Sequence, residues 1–134
     1  MTLDGSPMIF DSYAWVEYAL GTAKAGKVAE YLDGEEEVYT PASVLAELRE
    51  AMLRHGIKEN TATDIMTYIR SRTVVLSIDP NLAELAGVVN FRNKKKIKGW
   101  GMLDSFVYAA AMAKSGRVLT GDPHFKGLPN VVLL

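Results

Sequence analysis

The sequence has 134 residues, of which 49% are apolar and 23% are charged, and its formal net charge is −1. This composition excludes a disordered or membrane-embedded chain, and the small net charge excludes recruitment of nucleic acid by the field of the whole protein. Because cysteine is absent, disulfides and thiolate metal sites are excluded, and the two histidines, His55 and His124, are too few for a typical zinc site. We therefore expect any bound metal to be held by oxygen atoms.

The chain shows no sign of membrane insertion. No segment approaches the roughly 20 apolar residues that a membrane-spanning helix needs, and the first residues lack the pattern of a signal peptide. We expect a cytoplasmic protein. The start, "MTLDGSP", is turn-forming and has no periodicity, so we expect residues 1–7 to be a disordered start or a leftover of an expression vector. Residues 8–134 are expected to form a single domain.

The first half of the chain alternates apolar runs with helical patterns. "MIF" predicts a short buried strand that ends at Asp11, and a helix is expected one residue later. Pro41 suits the first turn of another helix, which ends at a His-Gly pair. The predicted elements are, in order, strand "MIF", helices "SYAWVEYAL" and "AGKVAEYL", strand "EVYT", and helices "ASVLAELREAMLRHG" and "NTATDIMTYIRSR".

The second half continues this alternation. "TVVLSI" is the clearest strand pattern of the sequence, and Pro80 opens the helix "NLAELAGVVNFRNKKK". The next helix, within "GWGMLDSFVYAAAMAKSG", is apolar nearly all round and is therefore predicted to be buried. "RVLT" and "VVLL" are predicted strands on either side of the turn-rich loop "GDPHFKGLPN". Five short strands alternating with helices favour an α/β fold with a mainly parallel five-stranded sheet flanked by helices on both faces.

Two carboxylates follow predicted strands. In open α/β sheets, binding sites form beyond the carboxyl ends of the strands, where the strand order reverses. Asp11 comes directly after "MIF", and Asp122 comes after "RVLTG". Each residue also has a structural interpretation, which is the commoner one for either residue taken alone: Asp11 suits a helix cap, and "GDP" is ordinary turn chemistry.

Two further carboxylates lie on predicted helices. Asp104 opens the apolar helix, where an ionised carboxylate costs several kcal/mol unless it is paired, hydrogen-bonded or bound to a metal. A hydrogen bond that caps the first helical turn explains Asp104 equally well. Glu47 lies at the edge of the polar face of its helix, with Glu50 and Arg54, so periodicity predicts a solvated side chain and does not distinguish Glu47 from Glu50.

Four segments, in this order and spacing, resemble the acidic motifs of the PIN-domain ribonucleases: "MIFDSYAW", "TPASVLAELREAM", "GWGMLDSFVYAAAMA" and "RVLTGDPHF". The short single-domain form is similar to the VapC-type toxins of toxin–antitoxin systems. The resemblance implies the three-layer PIN-like fold, with a five-stranded parallel sheet between helices, and an assembly that is usually a homodimer. It also implies an RNA substrate and an antitoxin protein as partner.

The resemblance further implies an acidic pocket, lined by Asp11, Glu47, Asp104 and Asp122. Ser12 and Thr120 would support this pocket through hydroxyl groups or water, and Glu47 is selected over Glu50. Asp122 occupies the position that varies in the family, so a contact with metal through water is an alternative to direct binding.

Such a pocket has a definite chemistry. Several carboxylates in one cleft repel one another, and Mg²⁺ suits them because it is a hard cation that prefers oxygen ligands. We expect Mn²⁺ to substitute. Our hypothesis is that Asp11 and Asp104 are the closest ligands, while Glu47 and Asp122 orient water and help to hold any second ion. The metal would then activate water for hydrolysis of an RNA phosphodiester, which makes the protein a metal-dependent endoribonuclease.

The sequence also contains a short basic run, "RNKKKIK", which supplies Arg92, Lys94, Lys95, Lys96 and Lys98. Binding of the RNA backbone and a solvated helix end explain these charges equally well. Trp100 follows closely, and we expect it to pack in the protein rather than to stack on a base. We expect His124 to pack within its loop rather than to act as a general base.

Two other functions remain open at this point. An aspartyl-phosphate phosphatase would use Asp11 as its nucleophile, but such enzymes usually carry a second Asp two residues later, where this chain has Tyr13. A non-catalytic interaction module on the same fold would use the acids only to cap helices and turns. The sequence does not exclude this module, and it does not identify the RNA or the number of metal ions.

Overall fold

The computed structural model describes residues 5–134. Residues 1–4, which are the greater part of the predicted disordered start, lie outside the described residues. The segment 5–7 contains no helix or strand, and the carbonyl of Pro7 accepts a hydrogen bond from the backbone N–H of Arg117 at 3.0 Å. This bond ties the entry of the first strand to its neighbour in the sheet.

Strands and helices alternate along the described chain, as the sequence predicts. Asp11 caps the first helix, and Gly21 ends it in the left-handed conformation with φ of 65°, which glycine adopts without strain. The elements are β1 (Met8–Phe10), α1 (Ser12–Leu20), α2 (Ala25–Leu32), β2 (Val38–Pro41), α3 (Ala42–Arg54), α4 (Glu59–Arg72), β3 (Val74–Leu76), α5 (Pro80–Lys94), α6 (Met102–Lys114), β4 (Arg117–Thr120), a 3₁₀ turn (Pro123–Phe125) and β5 (Val131–Leu133).

The five strands form one parallel sheet with the order β3-β2-β1-β4-β5. The predicted α/β fold with a parallel five-stranded sheet is therefore confirmed. The chain moves outward from β1 through β2 to β3 and then crosses back to β4 on the other side of β1. The strand order thus reverses between β1 and β4, which is where a parallel sheet opens a crevice at its carboxyl edge.

Helices cover both faces of the sheet. Successive side chains of a strand point to opposite faces, and in β2 the ring of Tyr39 lies under the Lys114 ammonium of α6, whereas Thr40 accepts a hydrogen bond from Trp15 of α1. The first helix and the last helix consequently lie on opposite faces. The central strand β1 is fully buried between them.

Two elements differ from their sequence pattern. The run "TVVLSI" yields only three strand residues, and β3 is an edge strand whose Val74 is 46% exposed. Helix α6, apolar nearly all round, is predicted to be buried, and this is correct only in part: Val107 and residues 109–111 are buried, whereas Met102, Leu103 and Met112 are each almost half exposed. An apolar sequence indicates that a helix is covered by apolar groups, but it does not indicate whether these groups belong to the same chain or to a partner.

Within residues 5–134, no helix combines the length and the apolar character that crossing a membrane requires.

A chain of buried hydrogen bonds links the elements on one face. The indole N–H of Trp15 donates to the hydroxyl of Thr40 at 3.2 Å, the Thr40 hydroxyl lies 2.8 Å from that of Thr73, and the Thr73 hydroxyl donates to the carbonyl of Ile69 at 2.9 Å. Since the Thr73 proton is used on Ile69, Thr40 must donate to Thr73. Every donor in this chain has a partner, which is what burial requires.

We predict that Thr40→Val destabilises the protein by about 1–3 kcal/mol, because the valine leaves the buried indole N–H of Trp15 without an acceptor. Chemical denaturation followed by circular dichroism measures this loss. Thr63→Val, at an exposed position of α4, is the control and should change the free energy of unfolding by less than half of that amount. Equal effects of the two substitutions would contradict the importance of the chain.

Candidate active site

The centre of the site is the carboxylate of Asp11, at the carboxyl end of β1 and next to the strand-order reversal. Asp11 is only 5% exposed. One carboxylate oxygen accepts the backbone N–H of Ala14 at 2.9 Å and so caps α1, and the other accepts the hydroxyl of Thr120. Burial raises the pKa of Asp11 to about 7, even though both hydrogen bonds act to lower it.

The end of β4 supplies the opposite wall. The hydroxyl of Thr120 donates to Asp11 and accepts the backbone N–H of Asp122 at 2.9 Å, so one buried hydroxyl group joins the two strand ends. The carboxylate of Asp122 accepts the backbone N–H of His124 at 2.9 Å. Both strand-end acids therefore lie where the sequence predicts them, and both also make the capping bonds of the structural interpretation.

Glu47 enters the site from α3. Its side chain is half-buried, which contradicts the solvated position predicted from helical periodicity, whereas Glu50 is exposed and pairs with Arg54 at 2.6 Å. Burial raises the pKa of Glu47, the charge of Asp104 raises it further, and a hydrogen bond from Ser12 acts in the opposite direction. The structure thus places Glu47, and not Glu50, beside the other acids.

Asp104 lies at the third position of α6. Its Oδ2 atom accepts the backbone N–H of Gly101 at 3.1 Å, so Asp104 caps the helix start as the modest interpretation predicts. The same oxygen lies 3.1 Å from Nδ1 of His124. Burial is the main cause that raises the pKa of Asp104, and the hydrogen bonds from Gly101 and His124 oppose this effect.

His124 is the site residue that the sequence analysis missed. Its Nδ1 atom lies 3.1 Å from Oδ2 of Asp104 and 3.5 Å from Oδ1 of Asp122, so the imidazole joins the two carboxylates instead of packing within its loop. One ligand atom from each of these three residues lies within 4.8 Å of the others. The carboxylates of Asp11 and Glu47 lie outside this tight group, although their charges act on it. The sequence signal that could have identified His124 is its position two residues after Asp122.

Two of the four acids, Glu47 and Asp122, line a cleft between α1 and α3. The cleft has a volume of about 420 Å³, and its lining includes Ser12, Tyr13, Glu47, Leu103 and Asp122, with Arg54 and His55 towards the far end. Trp100 is not part of it: this residue is 2% exposed and its indole N–H donates to Ser105 at 2.7 Å, so the expected packing role is confirmed and base stacking is excluded.

The donor set fits a divalent cation. Three carboxyl groups, those of Asp11, Glu47 and Asp104, have raised pKa values, with burial as the first cause and neighbouring carboxylates as a further one. A cation in the cleft would relieve both penalties, because it favours the ionised form of each acid. Oxygen-rich donor sets of this kind suit Mg²⁺ and Mn²⁺.

Comparison with known proteins identifies the fold and the family. The family model for the PIN domain matches residues 8–130. The chain belongs to the PIN domain family. No curated protein gives a significant match to the full sequence.

Solved structures with the same PIN fold include toxins and toxin–antitoxin complexes. The VapC20 toxin of Mycobacterium tuberculosis, described as cleaving the sarcin–ricin loop, has a TM-score of 0.76 and 19% identity over 92% of this chain and 96% of its own. VapBC2 from Rickettsia felis, bound to DNA from its promoter, has a TM-score of 0.75 and 18% identity, with coverage of 95% and 96%. DNA-bound VapBC from Salmonella typhimurium has a TM-score of 0.75 and 17% identity over 96% of this chain and 97% of its own. At these identities the likeness establishes the fold.

The buried acid at the centre of this PIN domain predicts an unusual pH dependence of stability. The folded-state pKa of Asp11, about 7, lies above that of the unfolded chain. Its stabilising contribution is therefore complete below about pH 4 and is lost as the pH rises through 7, by an amount on the order of 4 kcal/mol. We predict that Asp11→Asn removes most of this loss in the presence of a chelator, so that the variant exceeds the wild type in stability at pH 8.

Denaturant unfolding at intervals from pH 4 to pH 8 tests this prediction. Glu47 and Asp104 have pKa shifts of the same sign, so a smaller slope should remain in Asp11→Asn. Glu84→Gln, on the exposed side of α5, should keep the full slope of the wild type. An unchanged slope in Asp11→Asn would contradict the assignment of the pH dependence to this carboxylate.

Proposed function

We propose that the protein is a metal-dependent endoribonuclease that hydrolyses RNA phosphodiester bonds, with Mg²⁺ as the metal and Mn²⁺ as a substitute. The observation that carries this proposal is the convergence of four carboxylates at the strand-order reversal of a PIN fold. Family membership supports a nuclease in general. The metal and the hydrolytic step are our inference from the site.

Glu47 argues against the interaction-module alternative. Asp11, Asp104 and Asp122 all cap a helix or a turn, so capping alone would account for them. Glu47 is the sixth residue of α3 and therefore has no free N–H group of its own helix start to cap. A half-buried carboxylate that faces two other carboxylates is destabilising unless something positive binds there. A cation site explains Glu47, and capping does not.

The phosphatase alternative loses support at one position. The residue two after Asp11 is Tyr13, whose ring occupies the space that a β-carbon at Gly121 would need. A second acid in place of this ring would be needed for proton transfer in that chemistry, and the chain provides none at that position.

The residues present divide the work of hydrolysis among them. Asp11, Glu47, Asp104 and Asp122 would hold the metal, directly or through water. When bound, Mg²⁺ supplies an activated water and positive charge opposite the scissile phosphate. Thr120 fixes the carboxylate of Asp11 and the backbone of Asp122 with one hydroxyl, and Ser12 fixes Glu47. Orientation of this kind is what keeps the acids in place despite their repulsion.

We predict that Asp104→Asn lowers RNA cleavage by about a hundredfold or more. The substitution removes a negative charge that would hold the metal, and the metal would stabilise the charge that develops on the phosphate. The asparagine oxygen still accepts the N–H of Gly101, so the helix cap and the melting temperature should be nearly unchanged. Cleavage of a structured RNA in Mg²⁺, together with calorimetric titration of Mn²⁺, measures the two effects.

Glu50→Gln is the matched control for this experiment. Glu50 lines the same cleft but is exposed and paired with Arg54. This variant should therefore retain both cleavage and Mn²⁺ binding. If Asp104→Asn cleaves RNA at the wild-type rate, the proposed site is wrong.

The basic run offers a path for the RNA backbone. Its five side chains, Arg92, Lys94, Lys95, Lys96 and Lys98, are all exposed. The run leads directly into Gly99, where a β-carbon would come within 2.8 Å of the His124 ring, so its end adjoins the acidic site. Cations beside an acidic pocket would hold phosphates that the pocket itself repels.

We predict that replacing Lys94, Lys95 and Lys96 by Gln weakens RNA binding and reduces the slope of log Kd against log salt, by about 0.7 for each phosphate contact that is lost. The measurement uses the Asp104→Asn background, so that the RNA stays intact. Lys58→Gln with Arg70→Gln, two exposed positions at the N-cap of α4 and within it, should leave the slope unchanged. An equal slope in the triple variant would remove the run from the RNA path.

We further propose that the protein is the toxin of a toxin–antitoxin pair and acts as a homodimer. The structural neighbours named as toxin–antitoxin complexes support the partner. Exposed apolar features support the two interfaces. A groove of about 350 Å³ between α1 and α4 includes Trp15, Tyr18 and Tyr68. Further apolar side chains are exposed on α5 and α6, namely Val88, Phe91, Met102, Leu103 and Met112. Apolar patches of this kind are typical of interaction sites.

A further inference from the structure

The imidazole of His124 is held in place from its backbone side. The 3₁₀ turn (Pro123–Phe125) is capped by Asp122, whose carboxylate accepts the backbone N–H of His124 at 2.9 Å. The next residue, Phe125, is 1% exposed and packs against Trp100 with ring centroids 5.0 Å apart. Because Asp122 and Phe125 hold the chain on either side of His124, the ring has a defined direction towards the acids.

Gly99 limits the ring from the other side. A β-carbon at Gly99 would lie 2.8 Å from Nε2 of His124, and Gly99 has φ of 85°, a conformation that favours glycine. The Nε2 edge of the imidazole therefore packs against backbone. Its Nδ1 edge faces the carboxylates of Asp104 and Asp122.

The distances around Nδ1 match the spacing of ligands on one metal ion. Two adjacent ligands of an octahedral Mg²⁺ or Mn²⁺ ion, each about 2.1 Å from the metal, lie about 3.0 Å apart. Nδ1 of His124 lies 3.1 Å from one oxygen of Asp104 and 3.5 Å from one oxygen of Asp122. One nitrogen and two oxygens could therefore share an ion with little movement, whereas a purely structural histidine needs only one such partner.

We propose that His124 binds the metal directly through Nδ1 and raises the affinity of the site for Mn²⁺ more than its affinity for Mg²⁺. This inference rests on the proposed function only in that it concerns the same metal site. Imidazole is a good ligand for transition metals and a poor one for Mg²⁺, which prefers oxygen. For binding, the neutral ring carries its proton on Nε2 and presents the lone pair of Nδ1. The expectation that oxygen atoms alone hold the metal is then incomplete.

Pulsed electron paramagnetic resonance of the Mn²⁺-loaded protein tests the direct bond, because a coordinated imidazole nitrogen modulates the Mn²⁺ echo. The chain has two histidines, His55 and His124. His55→Asn is therefore the matched control, and it should keep the nitrogen modulation of the wild type. His124→Asn should lose it, although its amide N–H can still donate to Asp104, as an Nδ1–H would in the metal-free protein.

Calorimetric titration of the same proteins tests the metal preference. His124→Asn should lower the affinity for Mn²⁺ by about tenfold or more and change the affinity for Mg²⁺ much less, so that the preference for Mn²⁺ falls. Mn²⁺ binding in the wild type without nitrogen modulation would overturn the role of His124 while leaving the four-carboxylate site intact. Absence of Mn²⁺ binding in the wild type would overturn both proposals, and retained modulation in His124→Asn would overturn the ligand assignment.

Discussion

The structure depends on one constraint, which is the burial of an ionisable carboxylate at the end of the central strand. Strand β1 is enclosed on both faces, so Asp11, which follows it, is buried whether or not its carboxylate has a hydrogen-bond partner. The register of β1 and β4 pairs Phe10 with Leu119, and this register brings Thr120 beside Asp11. A shift by one residue would turn the hydroxyl to the other face of the sheet. The register of the sheet therefore determines the geometry of the site.

The acids combine a structural task with an electrostatic cost. Asp11, Asp104 and Asp122 each accept a backbone N–H at the start of a helix or turn, and these bonds stabilise the local fold. The same bonds bring the acids close to Glu47, and desolvation and repulsion raise the pKa values of Asp11, Glu47 and Asp104. Stability is thus given up at the place where a cation and a phosphate would bind, as is common at functional sites.

Most of the fold is predictable from the sequence because its signals are local. Apolar runs ended by Gly, Pro or Asp mark the strands, and Asp11 and Asp122 are placed at the site by their position after strands. Glu47 is not predictable in this way, since its burial comes from α1 and α6, which are distant in sequence. The role of His124 is not predictable for the same reason, because its contact with Asp104 joins residues that are 20 positions apart in the sequence. The exposure of α6 is also invisible to composition, because apolar side chains look the same whether a core or a partner covers them.

The capping bonds have a consequence for how such a protein changes over generations. Asparagine can accept the same backbone N–H groups as aspartate, so each Asp of the site can lose its charge without the loss of the helix start that it holds. A single-base change is enough for that exchange. Lineages that give up hydrolysis would then retain the sheet, the cleft and the apolar faces of α5 and α6. The fold can therefore persist after the activity is lost. We expect relatives that only bind a partner to exist beside relatives that cleave a nucleic acid.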